Sequence, residues 1–144
     1  MVNITITVED NIELTEEKVD NFKNKLLNQL SENTKVIFEK NTPHGETGRA
    51  ANAYKIMKSE NEHEIINDTP YLPWVNDGTG IYGPRHQRIV PRTKKVLHFH
   101  WKGKEWFLKS VKGQKGQKFV EQSMNEVMQS VEKAVVTAAN ETLK

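Results

Sequence analysis

Val2, Ile4, Ile6 and Val8 alternate with Asn3, Thr5 and Thr7 at the start of the chain. A period of two in β-favouring residues predicts a half-buried strand over residues 2–8. The chain is expected to turn at Asn11 and Ile12. Beyond the turn the pattern changes. Thr15 fits an N-cap, and Glu16 and Glu17 fall in the first turn, where the helix dipole favours acids. Leu14 and Val19 fit the two ends of a hydrophobic staple. Val19, Phe22, Leu26 and Leu30 then recur at helical spacing, which predicts a helix from about residue 15 into the high thirties.

Asn41 to Gly48, NTPHGETG, is a loop by its proline and two glycines. Ala53 to Lys58 and His63 to Asp68 are expected to form a hairpin around Ser59 to Glu62. Pro73 can open a helical turn that Gly78 closes, with Trp74 and Val75 as its buried face. Gly78 to Pro91 is expected to be an extended loop, with Gly78 at positive φ. A second hairpin is expected from Val96 to Trp101 and Glu105 to Val111, turning at Lys102-Gly103-Lys104. Alternation would put Leu97, Phe99 and Trp101 on one side, and His98, His100 and Lys102 on the other. Phe119, Met124, Val127, Met128, Val131, Val135 and Ala138 form a helical stripe to the C-terminus.

The expected architecture is a single α+β domain over residues 1–144. An antiparallel sheet would carry the long helix of the N-terminal half and the long C-terminal helix on one face. Phe22, Leu26, Trp74, Val127 and Val131 would be buried between them.

At 144 residues the chain is long enough to bury a core without staples, and it has no cysteine. Disulfides, thiolate metal sites and cysteine nucleophiles are therefore excluded. MVNITITVED shows no apolar segment after a basic start, and no apolar run approaches the ~20 residues of a membrane span. The expectation is a protein soluble and intracellular at synthesis, with no membrane partner.

Charge is distributed unevenly along the chain. The net charge of +2 conceals a balance of −6 over residues 1–80, +10 over residues 81–118 and −2 over residues 119–144. Glu105 is the only acid in the middle stretch. Segregation of this kind suits an anionic partner, either nucleic acid or the acidic zone of a second copy.

Familiar chemical motifs are incomplete here. Gly78-Thr79-Gly80 has the spacing of half a dinucleotide fingerprint. That motif follows a strand and opens a helix, whereas this one follows a helical turn and opens a loop. A helix cap with a tight turn is the expected reading. Gly113-Gln114-Lys115-Gly116 matches a bare GxxG but follows a strand, so a flexible basic connection is expected. His98 and His100, two apart on a strand, form a metal-type pair that lacks a third ligand. His86 and Glu105 are the nearby candidates, Lys102 opposes them on the same face, and solvated strand residues are the expected reading. His44 and His63 show no partner by spacing. No nucleophile elbow, HExxH or carboxylate cluster appears. Trp101 and Trp106 are expected to pack across the hairpin and not to stack bases.

One succession of short motifs spans residues 44–140. It runs from Thr47-Gly48-Arg49 to Tyr71 with Trp74-Val75, then Gly78-Thr79-Gly80. Pro91, an aromatic hairpin and Phe119 at the head of a long helix complete it. This order resembles the tail-completion (neck, head–tail joining) proteins of long-tailed bacteriophages. The resemblance implies a phage or prophage virion component with no catalytic activity, no cofactor and no metal. It would form a ring of identical subunits at the head–tail junction. Its partners would be other neck, connector and tail proteins, with non-specific DNA contact in the lumen. It would pass through the host cytoplasm during assembly. On this expectation Arg85, Arg88, Lys102 and Lys104 face a neighbour or the lumen. The competing expectations are a basic nucleic-acid-binding module using residues 85–118 and a metal-dependent nuclease using His98 and His100.

Overall fold

The computed structural model describes residues 2–9 and 15–143. The turn expected at Asn11 and Ile12, and the Leu14 end of the staple, lie outside them. The fold is α+β, and the strands divide between two antiparallel sheets. The chain packs as two compact units. Unit 1 combines Met1–Pro70 with Phe119–Lys144, and unit 2 is the continuous segment Tyr71–Lys118.

In unit 1, strand β1 (Val2–Thr7) pairs antiparallel with β3 (Glu62–Asn67), which pairs with β2 (Lys55–Lys58). The register opposes Val2 to Asn67, Ile4 to Ile65 and Ile6 to His63. All six residues therefore share one face, and all but the half-buried Ile6 are buried. Asn3, Thr5 and Glu64 take the other face, where Asn3 Nδ2 donates to Glu64 Oε1 at 2.6 Å.

Helix α1 (Glu16–Asn41) and helix α3 (Phe119–Thr142) pack against each other and against this sheet. Thr15 stands at the N-cap of α1 in extended geometry without a side-chain capping bond. Phe22, Leu26 and Leu30 of α1 cluster with Ala138 of α3, and Ile6, Val8 and Val131 pack around them. A row of polar links flanks this cluster: Lys25 to Glu141, Asn33 to Ser130 and Asn41 to Ser123. Partner numbers fall along α3 as they rise along α1, so the two helices run antiparallel. Among the described residues no helix is long and apolar enough to cross a membrane.

In unit 2, α2 (Leu72–Asp77) is followed by a 3-10 turn at Gly80–Tyr82, then by the hairpin of β4 (Leu97–Trp101) and β5 (Lys104–Leu108). One expectation fails here. Trp74 is 64% exposed and Val75 is only half-buried, while Leu72 and Asn76 are buried. Successive residues of a helix are about 100° apart, so the face holding Leu72 and Asn76 points away from Trp74. Of the expected core, Phe22, Leu26 and Val127 are buried and Val131 is partly buried.

Candidate functional site

The two glycine-rich stretches that look like binding loops explain each other. Gly78 closes α2 at φ 94°, ψ 172°, its N–H donating to the Trp74 carbonyl. Positive φ is as expected, although ψ lies well away from left-handed helical values. The chain then runs beside residues 111–117. Thr79 N–H donates to the Gln114 carbonyl at 2.9 Å, and Ile81 N–H to the Lys112 carbonyl at 2.8 Å. Gln114 N–H returns a bond to Thr79 Oγ1 at 2.9 Å. A Cβ on Gly80 would overlap the Lys112 carbonyl, and one on Gly113 would overlap the Thr79 carbonyl. The backbones approach this closely because neither residue has a side chain. Gln117 N–H and Lys118 N–H then bond the carbonyls of Val75 and Asn76. The stretch from Gly113 to Gly116, expected to be a flexible connection, is the second jaw of a main-chain clamp.

The clamp places the basic residues. After the 3-10 turn, Arg85 and Arg88 lie on an exposed loop. Ile89 and Val111 exchange two backbone hydrogen bonds, at 2.9 and 3.0 Å, and Arg88 Nε donates to Ser110 Oγ at 2.9 Å. Lys102 and Lys104 sit at the hairpin tip, both exposed. Among the described residues none of these four cations forms an ion pair. One apolar face of the hairpin, including Phe99, Trp101, Trp106 and Leu108, joins Ile89 and Val111 around an open cleft of about 470 Å³. Trp101 and Trp106 pack across the strands at 6.3 Å between ring centroids, as expected.

Lys102 does not oppose the histidines. Lys102 and Gly103 form a two-residue hairpin loop with φ of 50° and 73°, the geometry of a type I′ turn. This swings the Lys102 ammonium over the Trp101 ring, 4.6 Å from its centroid. The cleared face holds His98, His100, Glu105 and Phe107. Glu105 Oε1 lies 2.9 Å from His100 Nε2 and 3.5 Å from His98 Nε2. Of the two candidates for a third ligand, Glu105 is the one brought to the pair, while His86 Nδ1 lies 3.3 Å from the Ile81 carbonyl oxygen.

His63, which shows no partner by spacing, is buried on β3 with Nδ1 3.0 Å from Ser31 Oγ of α1. Burial first, then the Lys58 ammonium, holds its pKa below the ordinary 6.5. Tyr54 is also buried. Its hydroxyl lies 2.6 Å from Thr42 Oγ1, and burial raises its pKa above the usual 10.0. On the α1–α3 seam, Lys40 and then Asn41 hold the Glu126 carboxyl below its usual range. All three groups lie in unit 1. His63 had no readable signal because its partner lies 32 residues away on another element.

No protein-family model matches the chain, and neither a characterised protein nor a solved structure shows significant similarity to it.

Proposed function

We propose that this chain is a non-enzymatic structural protein of the head–tail junction of a long-tailed phage or prophage. Identical subunits form a ring there, and the chain resides in the host cytoplasm until assembly. The observation that carries this reading is the clamped basic surface of unit 2. Arg85, Arg88, Lys102 and Lys104 are exposed and, among the described residues, form no ion pair, beside exposed aromatic side chains such as Trp101. Closed rings use heterologous contacts, in which one surface of a subunit meets a different surface of the next. A segment at +10 and an N-terminal stretch at −6 supply two such surfaces of opposite sign. The motif order from Thr47 to Phe119 supports the same reading. Cations that do not meet a neighbour face the lumen, where they contact DNA without reading bases.

The test is the oligomeric state of the purified chain, by mass photometry and negative-stain microscopy. Closed rings are expected at low salt, weakening as salt screens the charges. Reversal of Arg85 and Arg88 to Glu leaves the subunit folded and abolishes rings. A monomer at all concentrations and salts, or rings indifferent to the double reversal, would overturn the reading. Tight DNA binding by the monomer, falling steeply with salt, would favour the nucleic-acid module instead.

A further inference from the structure

We propose that His98, His100 and Glu105 bind one divalent transition-metal ion of the zinc type. This inference stands independently of the ring. Strand β4 presents His98 and His100 on the same face, and the β4–β5 register sets Glu105 directly opposite His100. One ligand atom from each of the three residues lies within 4.8 Å of the others. Glu105 Oε1 is 2.9 and 3.5 Å from the two imidazole Nε2 atoms. A tetrahedral zinc ion with bonds of 2.0–2.1 Å holds neighbouring ligand atoms about 3.3 Å apart. The two separations from Glu105 are close to that spacing before any ion arrives, and the two imidazoles need approach each other by no more than about 1.5 Å to complete it.

Three further features favour a cation at this point. Lys102, which a continued strand would have placed on this face, is held over Trp101 by the tight turn. Glu105 is the sole carboxylate among residues 81–118, amid eleven lysines and arginines, and the register places it beside both imidazoles. The His98 ring is stacked on Phe107 at 4.5 Å and 3° between planes, which restricts its rotation while Nε2 stands 3.5 Å from Glu105 Oε1. Two imidazoles and one carboxylate favour zinc, nickel, copper or cobalt over magnesium or calcium. Three protein ligands leave a position for water. All three residues are exposed, so the ion enters from solvent.

The full chain, freed of metal with a chelator, is titrated with zinc chloride by calorimetry. Cobalt absorption spectra report the coordination geometry. The expectation is one saturable zinc site, a tetrahedral-type cobalt spectrum and no response to magnesium. His98→Ala, His100→Ala and Glu105→Gln alter exposed side chains, and circular dichroism checks that each variant remains folded. Each weakens zinc binding at least about tenfold, the scale on which even outer-sphere partners of a metal act. Absence of saturable zinc binding overturns the site, as does unchanged affinity in any one folded variant.

Discussion

In unit 1, contacts between α1 and α3 are made by side chains: Phe22, Leu26 and Leu30 against Ala138, flanked by Asn33–Ser130 and Asn41–Ser123. In unit 2, the contacts that join residues 78–81 to residues 112–114 are made chiefly by main chains, with the Thr79 hydroxyl the side-chain contributor and glycine where a Cβ would collide. A helical seam can lose one methyl group and relax. A backbone clamp gains an atom at Gly80 or Gly113 only by opening. Unit 1 thus tolerates substitution with graded losses, while unit 2 is intolerant at a few points and permissive over its charged surface.

All three tryptophans, Trp74, Trp101 and Trp106, belong to unit 2, whereas both long helices belong to unit 1. Tryptophan fluorescence and far-ultraviolet circular dichroism therefore report the two units separately. The largest effect is expected from Leu26→Ala, at ~2–5 kcal/mol in chemical denaturation followed by circular dichroism. A loss well under ~1 kcal/mol would show that α1 does not pack as described. Gly113→Ala places a side chain at φ 94° and against the Thr79 carbonyl. It should cost about 1–3 kcal/mol, seen first in the fluorescence transition, with the helical transition little changed. Equal shifts in both signals would mean that the clamp is not local to unit 2.

Acid should distinguish the units next. His63 is held neutral in the folded state, its pKa below the ordinary 6.5. The unfolded chain then binds the extra proton, so unit 1 loses stability as pH falls below about 6.5. The loss is complete once pH passes below the folded value. His63→Leu should flatten that part of the profile, since Ser31 Oγ retains the Asn28 carbonyl as acceptor. An unchanged profile would remove His63 as the cause. The smallest effect belongs to Glu126, whose depressed pKa stabilises above the unfolded value and ceases to do so as pH falls through the folded one. Glu126→Gln should give a slight, salt-dependent loss, because the link to Lys40 lies at the surface. A loss matching that of Leu26→Ala would mean that the polar links outweigh the apolar seam.

The same contrast decides what could be read from sequence. Strand β1 and helices α1 and α3 follow from Val2–Ile4–Ile6, from Phe22–Leu26–Leu30 and from the stripe through Val127, because each pattern is set by one element covering one face. Both hairpins were legible from their turns. The clamp was not: a glycine packed against a distant carbonyl leaves no periodic trace, and Gly80 and Gly113 are joined only by the fold. The exposure of Trp74 is not legible, because the six residues of α2 give too little pattern to fix its phase. Strand alternation carried into the turn would put Lys102 on the histidine face, but the strand ends at Trp101 and the tight turn breaks the alternation. Of the surface, the charge of Arg85, Arg88, Lys102 and Lys104 was legible; the position of Glu105 between His98 and His100 required the strand register.

Amide hydrogen exchange on the unmodified chain tests whether a main-chain clamp fixes the backbone that carries the basic residues of unit 2. The amides of Thr79, Ile81, Val111 and Gln117 should be protected together, and Gly113→Ala should release Thr79 and Ile81 while the α1 amides remain protected. Exchange of those four amides at open-chain rates in the unmodified protein would contradict the clamp.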